Sequence, residues 1–219
     1  PTTSEEPLQP ALAICDAHHH LRERANDRYF LEEFIRDLGA GHNLVSTIAV
    51  ECGVMYRKDG PEEMKPVGET EFLEGMAIQA ALESNPATRI AAAIVAYADL
   101  TLGDRVAPVL ETHLNVSPGR LRGIRCSTTW DAEFTERNVS QPGLLLDGTF
   151  RRGIRLLGQY GLSFDAWLFH SQLSELADLA GAFPQVTIIL DHMAGPLGIG
   201  PYAGKRDEVF QNWSRDIAK

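Results

Sequence analysis

The sequence lacks the features that define several classes of protein. Its three cysteines, Cys15, Cys52 and Cys126, are too few and too widely spaced for a disulfide framework, and no C-x-x-C pair offers a structural zinc site. It also lacks an excess of positive charge, because 20 Lys and Arg against 30 Asp and Glu give a net charge of -10. A binder of nucleic acid or of an anionic membrane surface is therefore excluded. The longest strongly apolar stretch, residues 90–98, is far too short to span a bilayer.

Nucleotide-binding and serine-hydrolase motifs are missing as well. No G-x-G-x-x-G follows the first predicted strand, and no G-x-S-x-G occurs. The glycine-rich stretch 195–204 before Lys205 is not a phosphate loop, because Ile199 and Arg206 stand where that motif requires Gly and then Ser or Thr. Residues 1–10 are polar and acidic, so we expect no signal peptide. Each cysteine lies in or beside an apolar run, so we expect reduced, buried thiols in a cytoplasmic protein.

What the sequence does contain is an alternation of short apolar, β-branched runs with amphipathic segments, which is typical of βα units around a parallel sheet. The predicted strands are 12–17, 44–52, 90–98, 121–126, 162–169 and 186–191. The predicted helices are 27–38, 69–83 (ending before Pro86), 104–113, 149–160, 172–183 and 205–217. Because the run 186–190 is continuously apolar or β-branched, we expect that strand to be covered on both faces. Six βα units fit either an open doubly wound sheet or an eight-stranded barrel that stops two units early.

Histidines stand at the ends of three predicted strands: His18, His20, His170 and His192. Because alternate residues of an extended chain face the same side, His18 and His20 point together and His19 points away. Two such imidazoles can chelate one divalent ion, and a third from another strand end leaves a position for water, as catalytic zinc sites require. We therefore expect the four histidines to share an active site. His42 and His113, at the ends of predicted helices, are expected to be exposed.

Several stretches, taken together and in this order, resemble one family. They are D-A-H-H-H at 16–20, V-E-C-G-V-M-Y-R at 50–57, G-I-R-C-S at 123–127, L-S-F-D-A-W-L-F-H at 162–170, and L-D-H-M-A-G-P at 190–196, which continues into G-I-G-P-Y-A-G at 198–204. The sequence resembles the amidohydrolase superfamily, in the amidohydrolase-related (amidohydrolase 2) branch. That branch includes lactonases of the 2-pyrone-4,6-dicarboxylate and sulfomuconolactone type.

The resemblance implies an α/β fold, the TIM (β/α)8 barrel, of which residues 12–219 supply about six βα units after a tail of residues 1–11. It implies a divalent metal, with zinc the expected ion, bound by His18, His20 and His170. His170 and His192 are the expected catalytic residues, and the residue matching His192 lies beside the substrate carbonyl or a second metal. Some members of the branch work without a metal, so metal dependence stays open. The aspartate that ends the eighth strand in relatives has no counterpart here, and we expect the sequence to be an incomplete representation of the polypeptide.

Other residues at the strand ends are candidates for binding the substrate. Arg125 suits a substrate carboxylate, which it can hold bidentately, or it forms a structural ion pair with Glu51 or Asp165. Glu51 in turn either orients a ligand histidine or pairs with Arg125. Tyr56 and Trp167 line a pocket for a flat, acidic ring, or they serve only in packing.

These predictions lead to one expected function and two alternatives. The expected function is hydrolysis, through an activated water, of a lactone or related cyclic ester or amide of a small carboxylated compound. The alternatives are a non-oxidative decarboxylase of the same superfamily and a catalytically inactive barrel fragment that binds a metal or a small acid. The expected partner is the small carboxylated substrate, without nucleic acid or membrane, and a homo-oligomer stays open.

Overall fold

A computed structural model describes residues 6–25, 27–83 and 88–219. The chain divides into two compact units, of which the first comprises Pro1–Ala96 with Thr112–Leu121 and the second Tyr97–Glu111 with Arg122–Lys219. Part of the predicted N-terminal tail (residues 1–5) lies outside the described residues, as does Pro86, before which the helix 69–83 is predicted to end. The assignment of residues 12–219 to one barrel domain stays a prediction.

The first unit is built on parallel strands. Its elements, in chain order, are β1 Ala13–His19, β2 Arg22–Arg24, β3 Asp27–Tyr29, α1 Leu31–Leu38, β4 Asn43–Val50, α2 Val67–Glu83 and β5 Arg89–Tyr97. Strand β4 lies between β1 and β5 and is parallel to both. The strands begin and end within about two residues of their predicted limits.

A short antiparallel hairpin is the main departure from prediction in this unit. The sequence predicts a helix from residue 27, but β3 pairs with β2 and the helix α1 begins only at Leu31. An ion pair of 2.9 Å between Arg22 and Asp27 links the two hairpin strands. The helical spacing of the apolar residues is therefore real from Leu31 onward and accidental before it.

The second unit contains parallel strands in the order β6-β7-β8. The elements that follow β5 in the chain are α3 Ala107–Val116, β6 Leu121–Arg125, α4 Gly148–Tyr160, β7 Ser163–Ala166, α5 Leu173–Ala182, β8 Ile188–Leu190 and α6 Arg206–Ile217. Helix α3 starts later than predicted, because residues 100–106 form a 3-10 turn. Pro108 then occupies the first turn of α3, where its missing N–H costs no hydrogen bond.

Local sequence signals explain α4 well. The Asp147 carboxylate accepts hydrogen bonds from the backbone N–H groups of Thr149 and Phe150, at 2.8 and 2.9 Å, and caps the helix. Gly161, with φ +67, ends the helix in the left-handed conformation that glycine adopts without strain. One face of the helix, which includes Phe150, Ile154 and Leu157, is fully buried.

Strand β8 contradicts the prediction of two covered faces. Ile189 is 45% exposed, although it lies in the middle of the most apolar run of the sequence. In the second unit β8 stands at the end of the strand order, beside β7. A strand in that position does not require cover on both faces, so continuous apolar character was an insufficient signal of burial.

Two further predictions of burial need correction. His113 was expected to be exposed, but it is fully buried and its Nδ1 lies 2.8 Å from the Thr70 hydroxyl, whereas His42 is exposed as predicted. No disulfide joins the three cysteines; Cys126 is buried as predicted, whereas Cys52 is only half-buried. Cys15 is exposed instead, because alternate residues of β1 face outward at the end of the strand order. In the part of the chain that the structure describes, no helix has the length and apolar character needed to cross a membrane.

Candidate functional site

The first unit brings His18 and His20 together at the end of β1. Their Nε2 atoms lie 3.3 Å apart and the ring planes are nearly perpendicular. The Nδ1 of His20 lies 2.8 Å from the carbonyl oxygen of Val50, the last residue of β4. If His20 Nδ1–H donates to that carbonyl, Nε2 carries the lone pair and faces its neighbour.

This separation of the two Nε2 atoms suits a shared metal ion. Two ligands at about 2.0–2.1 Å from a tetrahedral zinc ion lie roughly 3.3 Å apart. With a proton on His18 Nε2 this contact is a hydrogen bond to His20, and a divalent cation would take the place of that proton. The backbone carbonyl that orients His20 is the kind of outer partner that metal-ligating histidines have. The residues present therefore fit a divalent ion.

His19 has a different, structural role. Its ring stacks on Phe34 with centroids 4.3 Å apart, and its Nε2 lies 3.0 Å from the Thr47 hydroxyl. Burial lowers the pKa of His19 to about 4, against a smaller opposing effect of Asp16. This histidine is therefore neutral at physiological pH and belongs to the packing between β1, α1 and β4.

In the second unit, His170 begins the turn that follows β7. The imidazole is buried, and burial lowers its pKa below the ordinary value for histidine. Its Nδ1 is inaccessible to solvent and has no hydrogen-bond partner among the described residues. A buried ring nitrogen without a partner costs free energy, and because His19 Nδ1 is in the same situation, the ligand role of His170 stays a prediction.

A buried carboxylate beside His170 was missed by the sequence analysis. Asp131, in the long connection after β6, accepts hydrogen bonds from Ser171 Oγ at 2.8 Å and from the Tyr202 hydroxyl at 2.9 Å. Its other oxygen accepts from the backbone N–H groups of Glu133 and Phe134, each at 2.9 Å. Burial opposes ionisation of Asp131, but these hydrogen bonds outweigh it and hold the pKa below its usual range.

Arg125, at the end of β6, faces acidic side chains of its own unit. Its Nη1 lies 3.5 Å from Asp191 Oδ2, and the two side chains are 10% and 2% exposed. Burial and the charge of Asp191 raise the pKa of Asp165 to about 6, against the opposing effects of the Ser163 hydrogen bond and of Arg125. Arg125 therefore interacts with Asp165, one of the acids predicted for it, and also with Asp191, which the sequence analysis did not name.

His192 is exposed and stands at the start of a strained segment. Residues 192–195 all have left-handed backbone angles, with φ of 49 at His192 and 55 at Met193. The Trp167 ring stands edge-on to the His192 ring with centroids 4.9 Å apart, and Trp213 Nε1 donates to the Met193 carbonyl at 2.8 Å. Each such non-glycine residue costs about 1–3 kcal/mol, and such strain clusters at functional sites.

The remaining predicted residues lie in the connection after β4. Glu51 and Tyr56 are half-buried, and their proposed contacts with substrate stay predictions. A neighbour that the sequence analysis missed is Glu69 of α2, whose carboxylate accepts hydrogen bonds from the backbone N–H groups of Cys52, Gly53 and Val54. Glu69 holds the start of this connection in place. The sequence pattern around Glu69 predicts only an amphipathic helix and does not indicate that its carboxylate binds this connection.

Comparison with known proteins identifies the family. The model of the amidohydrolase family matches residues 15–215 of this chain. The protein belongs to the amidohydrolase family. This membership confirms the resemblance that the strand-end motifs indicated. A curated relative, the uncharacterized protein y4mH of Sinorhizobium fredii, is 30% identical over 167 residues, which are 76% of this chain and 50% of that protein.

Solved amidohydrolase structures resemble the chain in fold. An amidohydrolase from Burkholderia multivorans with bound zinc has a TM-score of 0.61 and 23% identity, and the match covers 93% of this chain and 64% of that one. A probable 2-pyrone-4,6-dicarboxylic acid hydrolase from Acinetobacter baumannii with bound citric acid has a TM-score of 0.59 and 14% identity, covering 92% and 65%. The likeness confirms the predicted α/β fold of the TIM-barrel type. This chain spans about half the length of the curated relative and less than two thirds of the length of each of these two structures.

Proposed function

We propose that this amidohydrolase is a hydrolase that opens a lactone, or a related cyclic ester or amide, of a small carboxylated compound. Family membership supports hydrolytic chemistry, and one solved relative bears the name of a probable pyrone dicarboxylate hydrolase. In the proposed reaction, the oxygen of water bonds to the carbonyl carbon while the ring C–O or C–N bond breaks. The proton lost by the water is delivered to the departing atom, so that the product is an open-chain acid.

The observation that carries the proposal is the pair of Nε2 atoms of His18 and His20, which lie 3.3 Å apart. Together with His170, whose buried Nδ1 has no hydrogen-bond partner among the described residues, they are the proposed ligands of a divalent ion, with zinc the expected one. An amidohydrolase from Burkholderia multivorans binds zinc. The ion would supply the Lewis acidity that polarises a substrate carbonyl.

The chain's other residues are proposed to bind and orient the substrate. His192, which is exposed at the strained segment after β8, is proposed to donate a hydrogen bond to the carbonyl oxygen, and its ring meets the Trp167 ring edge-on. Arg125 is the proposed anchor for the substrate carboxylate, since a guanidinium binds a carboxylate through two parallel hydrogen bonds. Its contact with Asp191 is long enough, at 3.5 Å, to be exchanged for a substrate oxygen. Glu51 and Tyr56 stay candidates for the rim of the pocket.

Metal binding tests the ligand assignment without reference to turnover. We expect His18→Ala and His20→Ala each to weaken zinc binding by more than about 100-fold in competition titrations with a chromogenic chelator, because changes to outer partners alone cost about 10–100-fold. His42→Ala is the matched control, since His42 is exposed and belongs to no proposed site. Zinc affinity that is equal in all these variants would remove the metal from the proposal.

Acid release tests the reaction itself. A panel of carboxylated lactones and cyclic amides, followed with a pH indicator, should show turnover that is lost in His18→Ala and His170→Ala. Release of carbon dioxide without lactone opening would overturn the proposal in favour of a decarboxylase of the same superfamily. Zinc binding with neither activity would overturn it in favour of a chain that only binds a metal or a small acid.

A further inference from the structure

We propose that Asp131 is a positioning residue that fastens the glycine-rich segment 195–204 over His170 through Tyr202. The inference concerns how the His170 imidazole is covered and oriented, and it rests on the proposed function only for the consequence that this has in catalysis. No motif in the sequence points to it. It depends instead on side chains from connections that follow three strands of the second unit.

The geometry of Asp131 is that of a buried junction. The residue is 2% exposed, and both carboxylate oxygens are used. One oxygen holds the backbone N–H groups of Glu133 and Phe134 and so shapes its own connection, while the other accepts the hydroxyls of Ser171 and Tyr202. A single carboxylate thereby joins the connections that follow β6, β7 and β8.

The connection that Tyr202 belongs to packs against the other two. The ring of Tyr202 meets the His170 ring edge-on, with centroids 5.3 Å apart. Leu197 is buried in a cluster with Phe134 and Phe169, against which Tyr202 also packs. A side chain at Gly200 would lie 3.0 Å from the Phe134 ring, so the backbone approaches that ring as closely as glycine permits.

The hydroxyl of Tyr202 is the group that fixes the position of the segment 195–204. Hydrophobic contact alone is non-directional and would allow the segment to slide, whereas a hydrogen bond to a buried carboxylate fixes one position. The Ser171 hydroxyl, on the residue that follows His170, donates to the same carboxylate oxygen. Asp131 Oδ2 therefore accepts hydrogen bonds both from Tyr202 of the segment and from Ser171, the residue after His170.

Two variants remove the fastening and leave the packing in place. Tyr202→Phe keeps the ring and loses only the hydroxyl. Asp131→Asn keeps one oxygen for the backbone N–H groups of its own connection, while its amide nitrogen can only donate to the two hydroxyl oxygens, so both charge-assisted hydrogen bonds to Asp131 are lost. Tyr160→Phe is the matched control, because the Tyr160 hydroxyl donates to the Glu111 carboxylate at 2.7 Å on an exposed surface of the same unit.

Hydrogen exchange measures whether the segment is released. The amides of Tyr202, Ala203 and Lys205 are hydrogen-bonded within the segment and report its opening. A hydrogen bond to a charged group is worth enough that its loss should speed their exchange by about tenfold or more in Tyr202→Phe and in Asp131→Asn. Tyr160→Phe should leave these rates unchanged. Wild-type exchange rates in both variants would overturn the proposal.

Chemical labelling separates positioning from a general loss of stability. We expect diethyl pyrocarbonate to modify His170 several-fold faster in the two variants, while His113, fully buried in the first unit, keeps its wild-type rate. Equal acceleration at both histidines would mean that the variants only destabilise the protein, and would overturn the positioning role. Neither readout requires a metal or turnover, so a failure of the proposed hydrolase function would leave these results interpretable.

Discussion

Replacing Glu69 by glutamine is expected to stabilise the protein above neutral pH and to leave its stability close to that of the wild type in acid. Glu69 is only 2% exposed, and its carboxylate accepts three backbone N–H groups, the shortest contact being 2.8 Å to Cys52. Burial, together with the smaller effect of the Glu51 charge, raises the pKa of Glu69 from 4.5 to about 7 against the opposing effect of these hydrogen bonds. In this competition, desolvation is the larger effect.

The pH window follows from the direction of the shift. Below pH 4.5 the folded and the unfolded chain both hold the proton on Glu69, so the free energy of unfolding does not depend on this group. Between pH 4.5 and about 7 the unfolded chain releases the proton while the folded chain keeps it, so stability falls as the pH rises. The shift of about 2.5 pKa units corresponds to about 3 kcal/mol, which is fully lost above pH 7.

Glutamine does not titrate and keeps one oxygen for the N–H groups of Cys52 and Val54, but its amide nitrogen cannot accept the longer contact from Gly53, at 3.3 Å. With about 1 kcal/mol subtracted for that lost hydrogen bond, Glu69→Gln should be about 2 kcal/mol more stable than the wild type at pH 8, which is a rise in melting temperature of roughly 4–8 °C. Thermal unfolding followed by circular dichroism between pH 4 and pH 8.5 measures the difference. Glu71→Gln is the control, since Glu71 lies on the same helix, pairs with Arg57, and has its pKa lowered by that partner.

The reasoning is refuted if Glu69→Gln is less stable than the wild type at pH 8. That result would mean that hydrogen bonds from the backbone of Cys52, Gly53 and Val54 to an ionised carboxylate outweigh the loss of its hydration. The control should show the opposite and smaller dependence. Glu71→Gln removes an exposed ion pair whose stabilising effect is present above pH 4.5, so the variant should lose a little stability at pH 8 and none in acid.

Two further predictions test packing and charge in the second unit and one helix of the first. Arg125→Met should destabilise the protein by about 1–3 kcal/mol in urea titrations at pH 8, because it removes a cation 3.5 Å from the buried Asp191 carboxylate; an unchanged free energy of unfolding would contradict this. Gly153→Ala should destabilise the protein by about 1–3 kcal/mol, because the new Cβ would lie 2.6 Å from the Leu100 carbonyl oxygen. Gly75 has open space around it, so Gly75→Ala should instead stabilise helix α2 by about 0.5–1 kcal/mol.

Family membership could be predicted from the sequence, because the motifs that indicate it are short and local. The alternation of an extended strand places His18 and His20 on the same side, and that requires no tertiary contact. Helix α4 could likewise be predicted almost to the residue, since an Asp at its start, a Gly after its end and a helical apolar stripe are all local signals. The same signals account for the succession of βα units.

Burial and pairing between distant residues could not be predicted in this way. Continuous apolar character predicted cover for Ile189, and a helix-end position predicted exposure for His113, yet both were wrong, because each depends on what packs against the element. The ion pair of Arg125 with Asp191 is of the same kind, since each residue has several charged candidates along the chain. The sequence by itself determined which functional groups are present, namely histidines at strand ends within motifs in the order of the amidohydrolase family. Only the tertiary structure decided which acidic groups lie beside them, because Coulomb and hydrogen-bond energies depend on distances of a few ångströms that chain order does not record.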